Sequence, residues 1–317
     1  NTSNAPQPGL KKMGSQKNIP AGPADENATS AISAEDAEAK IQELGIPDSI
    51  TGGLNDNNWK EKVRGISEFN QWISQNTEAA SANLEYIFKY LKVKLKDWKE
   101  SNLNVLKELF QFMLGVAQNK DITLSKKSFS LIASLVINYI AEGKYLESCT
   151  GIVFAFVEAV SPKSVIYSLL NAVQDSKNPK SSNPKTLIET CNLFAKLADE
   201  ITLKFFPLKE TIDFGKSVIG NSNQNVRAAA TTLFKSIYAQ LGPQLNDFLN
   251  DVNPQTLKAL QAEFEKIVPM KKAECKVKFR GEAEAEVMGD ISSNPLDSLP
   301  RADISKEANN LLKKLSD

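Results

Sequence analysis

A short signature recurs along this chain at a nearly fixed interval. NNWKEK at 57–62 is echoed by KDWKES at 96–101, which places Trp59 and Trp98 39 residues apart. SNPKTLIETCNLF at 182–194 is echoed by QNVRAAATTLF at 224–234, with Lys185 and Arg227 42 residues apart. Between the two pairs, AEGKYLES at 141–148 supplies Lys144. The marks at 59, 98, 144, 185 and 227 recur about every 42 residues. A unit of that length cannot bury its apolar face alone and must stack on its neighbours, so the period predicts a solenoid.

The apolar spacing sets the type of unit. Runs such as LEYIFKYLKVKL (84–95), LNVLKELFQFMLGVAQ (103–118) and LKALQAEFEKIV (257–268) place apolar residues on one face of a helix. Long alternating runs are missing. The expectation is about a dozen helices of 8 to 20 residues, paired into hairpins of the HEAT or armadillo kind. Each mark then opens the second helix of a hairpin, with Asn58, Asp97, Asn183 and Asn225 as the expected N-caps. Stacked hairpins align these turns along one edge.

That edge would carry Trp59, Lys60 and Lys62, then Trp98 and Lys99, then Lys144, then Lys177, Lys180 and Lys185, and last Arg227. Trp and Arg are favoured interface anchors and a row of lysines steers an acidic partner, so the edge reads as a protein-binding face. The helical wheel is less decisive for the tryptophans. Trp59 falls in line with Val63, Ile66 and Ile73, and Trp98 with Val105, Leu109, Phe112 and Val116, so each reads as core or as contact.

Composition narrows the chemistry. The 38 Lys plus Arg balance 38 Asp plus Glu, and residues 51–270 carry 25 bases against 22 acids, so no global field marks a nucleic-acid binder. Histidine is absent, which removes the commonest general base and every His-bearing metal site. Cys149, Cys191 and Cys275 are odd in number and form no CxxC, a pattern that suits a reducing compartment. GKS at 215–217 lacks the first glycine of a phosphate loop, position 210 being Glu. Neither a signal peptide nor a membrane span is expected, and the basic LKKMGSQK (10–17) reads as a solvated patch. No enzymatic activity, cofactor or metal is expected. The chain starts without Met and is read as a fragment of something longer.

The predicted organisation is a disordered linker over 1–33, a helical domain over 34–270 with its core at about 46–268, a flexible linker over 271–293, and a further element over 294–317. NNWKEKVRGISEF (57–69) resembles the opening repeat of TOG domains, the tubulin-binding arrays of the mini-spindles and ch-TOG class of microtubule polymerases. The likeness continues through DWKESNLNVLKELFQF and SNPKTLIETCNLF, and it is most specific at 225–267, which resembles the end of a third TOG domain. NPLDSLPRADISKEANNLLKKLSD (294–317) is similar to the first helix of a following, truncated TOG domain.

The resemblance implies an all-α paddle of six HEAT repeats whose intra-repeat loops grip αβ-tubulin. By position, the contacts would be Trp59, Trp98 with Lys99, Lys144, Lys185 or Lys180, and Asn225 with Arg227. It also implies microtubules and sister TOG domains as partners, and a place in the cytoplasm on the cytoskeleton, at spindle poles and centrosomes. The alternative is a HEAT-type adaptor whose edge meets another acidic protein or a neighbouring domain.

Overall fold

In the computed structural model the described residues are 32–270, 274–281 and 283–284. They form twelve α-helices of 8 to 18 residues and two short 3₁₀ segments, with no strand among them. The expected linker over 1–33, apart from its last two residues, and the expected helix over 294–317 lie outside the described residues.

Five hairpins follow one another: α2 (Asp48–Asn55) with α3 (Trp59–Gln75), α4 (Thr77–Lys94) with α5 (Leu103–Gln118), α6 (Lys126–Tyr139) with α7 (Gly143–Ala159), α8 (Pro162–Gln174) with α9 (Pro184–Glu200), and α10 (Leu208–Ile219) with α11 (Gln224–Leu241). The 3₁₀ segment Gly242–Phe248 and α12 (Pro254–Phe264) pack on α11 as a shortened sixth unit, and α1 (Ala34–Glu43) packs on α4. First helices stack on first helices, as in α4–α6–α8. Second helices stack on second helices in α3–α5–α7 and in α9–α11. Between α7 and α9 that second layer opens into a groove of about 580 Å³ lined by Leu146, Gly151, Phe154 and Leu193.

Apolar residues at helical spacing fill the seam between the layers. Ile66, Phe69 and Ile73 of α3, Val105, Leu109, Phe112 and Val116 of α5, and Val226, Leu233 and Ile237 of α11 are all buried. The first hairpin depends on two glycines. A Cβ on Gly53 would lie 2.8 Å from the Glu61 carbonyl oxygen, and one on Gly65 would lie 3.0 Å from the backbone of Ile50 and Leu54. Here α2 and α3 cross backbone to backbone, which only a residue without a side chain allows.

The chain after α12 departs from the sequence expectation. Residues 274–281 and 283–284, inside the stretch expected to be a flexible linker over 271–293, pack against the body. The Met270 N–H donates to the Ala239 carbonyl (2.7 Å), Lys276 N–H to Glu200 (2.8 Å) and Arg280 N–H to Glu158 (2.7 Å), while the Arg280 guanidinium reaches the Ala117 carbonyl. Phe279 meets Phe205 edge-on at 5.6 Å, and Ala283 is buried. The last carbonyls of a helix have no intrahelical donor. This strap supplies donors to the ends of α11, α9, α7 and α5 in turn, a role that hydrophobic pattern does not reveal. It also fixes the geometry of the solenoid: the C-terminal ends of four second helices share one edge, so their N-terminal ends share the other.

Candidate functional site

The edge opposite the strap is built from the five intra-hairpin turns. Most of them use a local device read directly from sequence: a side-chain oxygen at the N-cap accepts a backbone N–H of the first helical turn. Asn58 accepts from Lys60 N–H at 3.0 Å, Asn183 from Lys185 at 2.9 Å, and Asn223 from Asn225 at 2.9 Å. Asn58 and Asn183 are the caps that the sequence predicted. At the fifth turn the cap is Asn223 and Asn225 is the second helical residue, so the helix starts two residues earlier than expected.

In the first turn Trp59 is 39% exposed, an unusual state for a tryptophan. Lys60 Nζ lies 5.8 Å from the centre of its ring. Lys62 points inward instead, donating to the Leu54 carbonyl at 3.3 Å, so it closes the end of α2 rather than standing free. In the third turn Lys144 is half exposed, sits 4.9 Å over the Tyr145 ring and pairs with Glu142 at 3.4 Å. Beneath it Tyr145 stacks on Phe110 and meets Tyr139, an aromatic base that holds the turn.

The fourth turn carries Lys177, Lys180 and Lys185, all exposed. Nested side-chain turns shape it: Asp175 accepts Lys177 N–H at 2.9 Å and Asn178 accepts Lys180 N–H at 3.0 Å. Both lysines left open by the two NPK triplets are therefore presented to solvent. In the fifth turn Arg227 directs one Nη to the carbonyls of Asn221 and Ser222, each at 2.8 Å, which orients the guanidinium along the edge.

The second turn overturns the sequence reading of Trp98 as a contact. Trp98 is fully buried, and its indole N–H donates to the Leu131 carbonyl at 2.9 Å. It does not open α5. That helix begins at Leu103, capped by Asn102 rather than by Asp97. Lys96, Asp97 and Trp98 instead take three consecutive left-handed conformations, with φ of 57°, 54° and 61°. For non-glycine residues this costs roughly 1–2 kcal/mol each. Burying an indole of about 200 Å² at about 25 cal/mol per Å² contributes roughly 5 kcal/mol, which offsets strain of that size. The ring is thus the peg that makes the turn possible, and Lys99, directly after it, is exposed alongside Lys96 and Asp97.

Three residues that sequence reasoning missed secure this turn. Asn138, at the end of α6, donates to the Trp98 carbonyl at 3.0 Å, and the Tyr139 hydroxyl donates to the Glu100 carbonyl at 2.5 Å. The buried Glu100 carboxylate accepts the N–H groups of Ser101 (2.7 Å) and Asn102 (2.9 Å). Burial raises the pKa of Glu100, but those two N–H groups and the charges of Lys96 and Lys62 outweigh it, so the net shift is downward.

As a chemical surface the edge offers one exposed indole, a row of ammonium groups and one guanidinium. Among the described residues no three metal-capable side chains come together, and no helix is long and apolar enough to cross a membrane.

Comparison with known proteins places this architecture. Protein MOR1 of Arabidopsis thaliana is 28% identical over 287 residues, covering 88% of this chain, which spans 14% of that relative's length. The structure of Drosophila melanogaster Mini spindles TOG3 superposes with a TM-score of 0.62 at 24% identity, over 74% of this chain and 99% of that one. A structure described for TOG–tubulin binding specificity superposes at 0.60 and 15% identity, over 73% of this chain and 86% of that one. The family model described as XMAP215/Dis1/CLASP, TOG domain matches residues 49–264, more than half of the sequence. The chain therefore belongs to the TOG domain family of XMAP215, Dis1 and CLASP proteins.

Proposed function

We propose that this chain is a non-enzymatic αβ-tubulin-binding module of a multi-TOG microtubule polymerase, acting on the cytoskeleton and the spindle. The observation that carries the reading is the alignment of five cation-bearing turns on the edge opposite the strap, with an exposed tryptophan at one end and Arg227 at the other. Trp59 is the anchor. Lys60, Lys99, Lys144, Lys180, Lys185 and Arg227 register an acidic surface, and Asn225 adds a polar contact. Lys62 and Trp98 support the turns from beneath. Sister domains on the same chain would each hold a tubulin, and tethering raises the effective concentration of the next.

The expected result is co-elution of the 317-residue chain with αβ-tubulin on gel filtration, lost in the Trp59→Ala, Arg227→Ala double variant with its melting temperature unchanged. No shift of the native chain at tens of micromolar points instead to an adaptor for another partner.

A further inference from the structure

Trp98, Asn138 and Asn178 are spaced 40 residues apart, and they are joined in space as well as in sequence. The Asn138 side-chain N–H donates to the Trp98 carbonyl in the second turn at 3.0 Å, and its side-chain oxygen accepts from the Asn178 amide in the fourth turn at 2.9 Å. Each end is tied down in turn: Trp98 donates to the Leu131 carbonyl of α6, and Asn178 accepts the Lys180 N–H within its own loop. Asn138 is 6% exposed. A buried amide with both ends satisfied is costly to disturb and specifies one arrangement. The second turn is also anchored to α4, where the Lys92 carbonyl accepts the Asp97 N–H at 2.7 Å. The third turn is the short Ile140–Glu142 connection, and Asn138 lies just before it.

We infer that Asn138 is a positioning residue that locks the second and fourth turns into one unit, so that Lys99 and Lys180 are presented to tubulin at a fixed separation. The inference rests on the tubulin reading of this edge. Left-handed residues outside glycine persist only where their surroundings over-determine them, and the second turn has three. Loosening the fourth turn should therefore be felt at the second, through Asn138.

Asn178→Ala is the variant of choice, because it removes one partner from a half-buried position and leaves the Trp98 peg in place; Asn138→Ala, at the buried centre, is the harsher companion. Hydrogen exchange on the full chain is expected to show protection at Lys99–Asn102 falling about tenfold in Asn178→Ala, with the melting temperature within a few degrees of the native chain. Tubulin affinity should fall severalfold in Asn178→Ala, and by less when Lys99→Ala is already present, since the positioned group is then gone. Exchange changes confined to 175–183 would overturn the coupling, whatever tubulin does. Native affinity in Asn178→Ala beside weakened Lys99→Ala and Lys180→Ala would overturn the positioning role. Native affinity in all three variants would overturn the tubulin reading of these turns, and with it the role in binding.

Discussion

The first and second turns carry nearly the same letters, NNWKEK and KDWKES, yet their tryptophans have opposite fates. Trp59 is the first residue of α3, directly after an Asn cap, and its ring stands at the surface. Trp98 lies five residues ahead of α5 in a left-handed turn, and its ring is sealed in the core. The difference lies in where the helix starts. A residue at the first helical position has its direction set by the helix, and at Trp59 that direction leads out of the edge. A residue in a turn points where the turn can be held, and these three left-handed residues are held by a large buried ring with its N–H satisfied, together with Asn138, Tyr139 and Glu100.

The largest effect is expected at Trp98. Trp98→Ala should remove roughly 3–5 kcal/mol of stability. In a domain of this size that lowers the melting temperature by about 10 °C on scanning calorimetry. A shift of only a few degrees would return Trp98 to the surface. Trp59→Ala should do the reverse, weakening tubulin binding about 30-fold, the effect of a 2 kcal/mol hot spot, while melting stays within a few degrees.

Glu100 sharpens the contrast through pH. Its depressed folded pKa means that the ionised carboxylate contributes stability above the unfolded value of about 4.3, and that this is lost as pH falls through the folded value. Glu100→Gln should therefore melt lower than the native chain at pH 7, by an amount expected of a charged hydrogen bond of roughly 2 kcal/mol. The gap should close as the pH drops below about 4. A constant gap from pH 7 to pH 3 would assign the loss to packing instead. The smallest effect is expected at the first turn, where Asn58→Ala removes an N-cap worth about 1 kcal/mol and should lower melting by only a few degrees.

Much of this was legible in the sequence, for identifiable reasons. Apolar spacing at 103–118 marked a helix whose buried residues are those the wheel selects. The recurrence of the turn signature placed the starts of α3, α7, α9 and α11 to within a few residues, because Asn caps and the helices behind them are local events. What local pattern could not show is long-range. The inward turn of Lys62 depends on where α2 ends, and the burial of Trp98 depends on Leu131, 33 residues away. The strap was hidden because backbone N–H groups meeting helix-end carbonyls leave no trace in hydrophobicity. The 40-residue spacing of Trp98, Asn138 and Asn178 was present in the letters, but an asparagine in a helical repeat is ordinarily read as a solvated residue or a cap.

The most direct measurement of the central claim is a tubulin titration of four chains side by side: native, Trp59→Ala, Trp98→Phe, and Trp59→Ala with Arg227→Ala. Near-native melting and lost affinity are expected for Trp59→Ala, no binding for the double variant, and for Trp98→Phe a lowered melting temperature with binding retained below it. Equal affinity of Trp59→Ala and the native chain, with both binding αβ-tubulin, would contradict the role of Trp59 as anchor.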